Sequence, residues 1–362
     1  MKTMQRRMSS LLCALLLLCT LLPTASAAQN AETVQAKFWY DTFDNRGLLY
    51  VDGEPVSVAD DAHPEWCLIL YGGAFYLPAQ IAGEWLGASL SWDGKAAVLT
   101  TAGQPVYRSY SMDKRDLTQE ERHLQEKENL EGAALTLRPD VTVTWDGKEI
   151  AFSTATGDPV YPGICQNTLY LPLRGVAGLC GKEILFLPAV DEEVGAEGSS
   201  IPDLTLPFQP RFKHTSRGAL FLFDMPTKGQ LDAAQNYLNQ IDPLLYDGIT
   251  GTLREFLSGS AVNNAQAIAC LQAVSDYLDQ ISALPLSDTP SLQPYLVLLH
   301  KDVEEFQQAV KKFSGEVERH TQFPVSLQQM TSVMLCPYLY KTYIQIADTQ
   351  RLLDAVCTQA GL

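Results

Sequence analysis

Thr168–Gly181 reads TLYLPLRGVAGLCG. The β-type run Thr168 to Leu171 meets Pro172, and a short segment of small residues follows to Gly181. Proline cannot donate within a sheet, but its fixed φ suits the first turn of a helix. Glycine just past a last helical turn supplies the left-handed residue that ends it. The stretch therefore predicts a strand, a short helix and a turn outward. Ninety-four positions earlier, Ala74–Gly87 reads AFYLPAQIAGEWLG. Tyr-Leu-Pro falls on Tyr-Leu-Pro, Gly87 on Gly181, and Asp52-Gly53 on Asp146-Gly147 at the same offset. A spacing kept across three features predicts an internal duplication.

Working outward, each copy carries hairpin signals. Gly47–Val51 and Pro55–Val58 flank Asp52-Gly53; Cys67–Tyr71 and Ala74–Leu77 flank Gly72-Gly73. Asp-Gly and Gly-Gly between β-type runs are two-residue turn signals. In the second copy Val141–Trp145 alternates up to Asp146-Gly147, Glu149–Phe152 returns, and Ile184–Phe186 stands where Leu90–Trp92 stood. The copies span about 45–103 and 140–190. One copy is small to bury a core alone, so the two are expected to share one. Between them 113–131, DKRDLTQEERHLQEKENLE, is charged and helix-prone, with leucines too sparse for an apolar stripe. It reads as an exposed insertion. His123 there, and the lone S-x-x-K at Ser111–Lys114, carry no supporting motif.

The runs VTVTWDGKEIAF (141–152) and LYLPLRGVAGLCG (169–181) resemble the copper amine oxidase N-terminal-like, or stalk, domain family. That resemblance implies a xDGx hairpin, a strand ending in Leu-Pro-Leu-Arg, a short helix and a glycine, arranged as paired half-repeats in secreted or wall-associated bacterial proteins. The first copy departs from it, with Ala79-Gln80 in place of Leu-Arg. Arg174 therefore has no counterpart in copy one, and a structural hydrogen bond is its expected role. The family resemblance does not imply amine oxidase activity, because the stalk is a non-catalytic appendage. The cofactor-forming Asn-Tyr-Asp/Glu motif is missing, Asn236-Tyr237-Leu238 being the nearest, and the five histidines form no H-x-H pair.

Lys2, Arg6 and Arg7, the apolar run Leu11–Leu22 and Ala25-Ser26-Ala27 have the order of a secretory signal peptide, with cleavage expected near Ala27. The run is short for a membrane span, and Leu17-Leu18 before Cys19 do not form a lipoprotein signal. Residues 1–27 hold three basic and no acidic residues, so their removal takes the formal charge from −16 to −19. Such acidity argues against nucleic acid and anionic lipid as partners. Calcium is not indicated, since no D-x-[DN]-x-[DN]-G loop is present. Cys67, Cys165, Cys180, Cys270, Cys336 and Cys357 show neither a framework spacing nor a C-x-x-C, and buried free thiols are expected.

Residues 191–217 are rich in Glu, Gly, Ser and Pro and read as a linker. From about 218 the period turns helical. Leu231, Ala234, Leu238 and Ile241 form one stripe; Ile268, Leu271, Val274, Leu278 and Ile281 form another. Leu292, Leu296, Leu299, Val303, Phe306, Val310, Phe313 and Val317 step by four and three, predicting a helix of about 30 residues with a bundle seam. A last helix is expected over about 325–358, with Pro337 inside it.

The fold expectation is α+β: a signal peptide at 1–27, then a β-rich domain at 31–190 built of two half-repeats of hairpins plus a short helix. The linker follows at 191–217, and an all-α antiparallel bundle occupies 218–362. No G-x-S-x-G, H-E-x-x-H, P-loop or G-x-G-x-x-G motif occurs, and His300/Glu304 and Glu316/His320 read as surface pairs. No catalytic, cofactor or metal residue is assigned. The expected function is a secreted or envelope-associated binding and scaffolding protein whose partner is a cell-wall polymer or an envelope protein. Candidate contacts are Trp66, Trp92, Trp145, Arg174, Tyr338 and Tyr340, with Trp85 and most of the tyrosines expected in the core. The alternatives are a glycan or wall hydrolase with unidentified carboxylates, or a metal- or small-molecule-binding helical domain.

Overall fold

The computed structural model describes residues 31–39, 48–59, 62–63, 66–108, 132–197, 199–201, 203–208, 212–216, 218–260, 262–286, 288–320, 323 and 325–362. The signal-peptide segment and the 113–131 insertion, with His123 and Ser111–Lys114, lie outside the described residues. The fold is mixed, with strands in the N-terminal part and helices in the C-terminal part. Its two compact units do not follow the linear division expected from composition. One holds the described residues up to Phe38, Ile69–Pro105 and 132 to Gly175; the other holds Trp39–Leu68, 106–108 and Val176–Leu362.

The strands, in chain order, begin with β1 (Glu32–Trp39), β2 (Leu48–Val51), β3 (Glu54–Pro55), β4 (Leu68–Tyr71) and β5 (Ala74–Pro78). Helix α1 (Ala79–Trp85) follows, then β6 (Ala88–Trp92), β7 (Ala96–Thr101), β8 (Ala133–Leu137), β9 (Thr142–Trp145) and β10 (Lys148–Glu149). Next come β11 (Phe152–Ser153), β12 (Pro159–Val160), β13 (Gly163–Cys165), β14 (Thr168–Pro172), α2 (Leu173–Leu179) and β15 (Glu183–Leu187). The last strands are β16 (Val190–Glu193), β17 (Lys213–Ser216) and β18 (Ala219–Phe223).

In the first unit, β1-β4-β5-β14-β13-β8 close into a barrel, with β5 antiparallel to β14 and β1 antiparallel to β8. Closure leaves the barrel no open edge. Glycines set the approach distances. A Cβ at Gly163 would meet the Leu135 side chain at 2.5 Å, and one at Gly175 would overlap the Phe152 ring. A four-stranded sheet, β10-β9-β7-β6, joins β7 parallel to β9 and antiparallel to β6. Asp146 fixes that junction: its Oδ1 accepts the Thr101 N–H at 2.8 Å and its Oδ2 the Thr101 hydroxyl at 2.6 Å.

The second unit has a sheet of the same order, β3-β2-β18-β15, with β18 parallel to β2 and antiparallel to β15. All five residues of β18 are buried. A strand buried on both faces reads as a continuous apolar run, which is why Leu220–Phe223 showed no alternation. The expected linker is folded. β16 and β17 pair from Val190↔Ser216 to Glu193↔Lys213, and Ile201, Leu204 and Leu206 between them are buried. Isolated apolar residues among Gly, Ser and Pro carry no period, so composition misled there.

The helices are α3 (Lys228–Pro243), α4 (Gly251–Ser258), α5 (Asn264–Ser282), α6 (Gln293–Arg319) and α7 (Leu327–Gln359). Thr227 with Gln230, and Asn263 with Gln266, form capping boxes at α3 and α5. Pro243 lacks the N–H that would continue the ladder, and the chain widens into a π-helix over Leu244–Thr250 before α4. Gly248 lets this segment lie against the Tyr277 ring, 2.7 Å from where its Cβ would stand. Asn264 donates to the Val317 carbonyl and Gln307 to Asp279, so α5 and α6 run antiparallel. Gln345 donates to the Tyr295 carbonyl and Lys341 to Glu305, so α6 and α7 do too. The Leu292–Val317 stripe is buried throughout. Tyr50 stacks on Phe221 at 5.0 Å, and Tyr295 meets Phe221 edge-on at 5.7 Å. These rings join sheet and helices in one core.

Candidate functional site

Glu192 and His214 are direct cross-strand partners on β16 and β17, so their side chains share a face. His214 is fully buried. Its Nδ1 lies 3.0 Å from Glu192 Oε1 and its Nε2 lies 3.1 Å from Asp348 Oδ1 on α7. Arg351, one turn on, donates from Nη1 to Asp348 at 3.0 Å and from Nη2 to the Pro188 carbonyl at 2.9 Å. The exposed Ser200 gives its N–H to Glu192 Oε1 at 2.9 Å; its hydroxyl also meets that oxygen and lies 3.2 Å from Nδ1.

Ser200–His214–Asp348 has the connectivity of a nucleophilic triad, which needs a bare ring nitrogen to take the serine proton. Here that nitrogen faces a carboxylate oxygen. A contact of 3.0 Å between two acceptors requires a proton between them. Both ring nitrogens face carboxylate oxygens, so neither is left bare to take the serine proton. Ser200 spends its proton on Glu192. Burial alone would push the Glu192 carboxyl up, but the Ser200 and His214 hydrogen bonds outweigh it and hold it down at about 2. The constellation is a polar clamp that ties the hairpin to the helix.

A second cluster gathers at the β2–β3 turn. Lys182 Nζ stands 2.5 Å from Asp52 and 2.9 Å from Asp224. Burial disfavours the ammonium, but the two aspartates prevail and keep its pKa raised. A lysine held charged is no nucleophile. Beside it Tyr107 is bonded to the Cys180 thiol; burial first, then Cys180 and the aspartates, raise the phenol. Cys67, Cys165, Cys180, Cys270, Cys336 and Cys357 are thiols outside any disulfide.

The expected contact residues mostly serve the core. Trp66 is buried and stacks on His63 at 4.0 Å. Trp92 and Trp145 are half-buried; they pair with Ala97 and Leu99 on the inner face of their sheet, and Trp145 donates to Thr101 at 3.1 Å. Tyr340 is buried against Phe212 at 4.0 Å, and half-buried Tyr338 stacks on Phe306 at 6.2 Å. Trp85 is core, as expected. Arg174 is exposed on α2 and makes no hydrogen bond among the described residues, so the structural bond expected of it is absent there. Sequence reasoning missed His214, a lone histidine in a polar stretch; only the pairing of β16 with β17 brings out its partners.

Concave space of useful size lies between α5 and α6, in a groove of about 790 Å³. Leu271 and Val310 form its floor. Gln272, Ser275 and Asp279 line one wall; Gln307, Gln308, Lys311 and Ser314 line the other, with Glu304 and Glu318 at the two ends. The volume is within the range of small-ligand sites. Gln307 donates to Asp279 at 2.8 Å across it.

Among the described residues no group of three or more His, Cys, Asp or Glu is placed to hold a metal ion, and no helix is long and apolar enough to cross a membrane. No family model, no curated protein and no solved structure matches the chain.

Proposed function

We propose that this chain is a non-catalytic, exported binding and scaffolding protein of the cell envelope. Its β-rich part serves as a stalk and its helical part as the docking surface, with a cell-wall polymer or an envelope protein as partner. The observation that carries this reading is the α5–α6 groove, whose walls are lined with amides and hydroxyls. The buried Asp302 and Asp348 are instead committed to Lys341 and Arg351, and Lys182 to Asp52 and Asp224. The signal-like start and the acidic balance of the sequence support export and solubility.

The like order of β10-β9-β7-β6 and β3-β2-β18-β15 supports two further readings: an internal duplication, and the likeness to the stalk family. On the duplication reading each hairpin completes the sheet of the other copy's tail. The binding proposal is tested by sedimentation. The chain lacking residues 1–27 is mixed with washed insoluble wall polymer and with extracted envelope proteins. Retention in the polymer pellet, or a defined crosslinked complex, is expected. Recovery wholly in the supernatant with no complex formed would overturn it.

A further inference from the structure

We infer that the α5–α6 groove is a binding site for a linear, uncharged oligosaccharide. The inference rests on the binding role proposed above and names its ligand class. Glu304 to Glu318 is fourteen residues of helix, a length of about 21 Å at 1.5 Å per residue, so the ligand is extended rather than compact. The walls mix Gln272, Gln307, Gln308, Ser275 and Ser314, groups that both donate and accept. Sugar hydroxyls do the same, and carboxylates such as Asp279 accept from neighbouring hydroxyls. The fixed charges, Asp279, Glu304 and Glu318 against Lys311, disfavour an anion, and Asp279 already accepts from Gln307. Lys311 stands midway between Glu304 and Glu318, so a polycation meets the lysine and a polyanion meets the ends. No aromatic ring lines the groove, and its apolar floor is only Leu271 and Val310. A peptide would find no pocket for large side chains there.

Gly315 supplies the test. It lies in the groove on α6, and a Cβ there would meet nothing within 4 Å. Leucine at this site adds bulk to open space and is a better helix former than glycine. Gly315→Leu therefore fills the groove without harming the fold. Titration calorimetry is run with soluble tetramers of β-linked N-acetylglucosamine and of β-linked glucose, on the unaltered chain and on Gly315→Leu and Gln308→Ala. Wall-polymer sedimentation is run in parallel, with melting curves for each variant. The expected result is binding of at least one tetramer, weakened about tenfold by Gln308→Ala and abolished by Gly315→Leu, whose melting temperature is unchanged or higher. Equal binding by all three proteins overturns the site. A chain that sediments with polymer but binds neither tetramer overturns this inference and leaves the broader reading standing. A chain that does neither overturns the inference and the polymer form of that reading together. Tetra-alanine that competes for the groove where both sugars fail makes the ligand a peptide and overturns the sugar assignment.

Discussion

His214 Nε2 stands 3.1 Å from Asp348 Oδ1 across 134 residues of chain, and the ring's other nitrogen is held by Glu192. The imidazole is thus the middle of a five-part chain running from Ser200 through Glu192, His214 and Asp348 to Arg351. His214→Ala leaves the Glu192 and Asp348 side chains without the ring that joins them. Breaking a buried pair by removing one partner costs about 3 kcal/mol. The expected outcome is a lower urea midpoint with the far-ultraviolet spectrum kept. His214→Gln, which can still donate one hydrogen bond, should lose less. An unchanged midpoint in His214→Ala would show that the clamp adds nothing to stability.

The same contacts fix a pH dependence. Glu192 is held at about 2 against an ordinary value of 4.5. A carboxyl depressed in the folded state stabilises it fully above the unfolded value, and that contribution is lost as pH falls through the folded one. The window is therefore from about 4.5 down to about 2. The carboxylate is a quarter exposed, so screening trims the effect to about 1–2 kcal/mol. Urea midpoints of the unaltered chain and Glu192→Gln, measured from pH 7 to pH 3, should converge as pH falls. A gap that stays constant to pH 3 would place the stabilisation elsewhere.

Much of the local structure was legible in the sequence because its causes are local. Asp52-Gly53 and Asp146-Gly147 turn with φ of 50° and 91°, and of 49° and 77°, the left-handed values those residue types tolerate. The Leu292–Val317 period gave α6 because burial of one helical face repeats along the chain itself. What stayed hidden is non-local. Leu220–Phe223 announces burial but not its parallel partner Leu49–Val51, some 170 residues earlier. The linker expectation failed for the same reason, since β16 and β17 are held by each other and by α7 rather than by their own pattern. His214 became legible as a site only once that hairpin closed.

Two helical glycines should respond to alanine with opposite signs. In α2, a Cβ at Gly175 would overlap the Phe152 ring, which is buried in the same unit. Overpacking of this kind costs about 2 kcal/mol, and Gly175→Ala should lower the melting temperature. Gly315 in α6 has open space, so Gly315→Ala removes only unfolded-state freedom and should gain about 0.5–1 kcal/mol. Calorimetric melting of the two variants decides it. A matching loss in both would mean that the space beside Gly315 is filled in solution.

The two Asp-Gly turns should also part company. Gly53 and Gly147 occupy the same place in their hairpins, and both have positive φ. Alanine at either meets the left-handed penalty of about 1 kcal/mol. At Gly147 nothing stands within 4 Å, so that strain is the whole cost. At Gly53 the new Cβ would lie 2.6 Å from the Pro290 carbonyl oxygen and 3.3 Å from the Gln293 side chain. The Pro290 carbonyl is backbone just ahead of α6 and cannot swing aside as a side chain tip can. Gly53→Ala should therefore cost about 3 kcal/mol, and urea unfolding of the two variants should show the difference directly. Equal costs would mean that the Asp52-Gly53 turn does not rest against the start of α6 in solution.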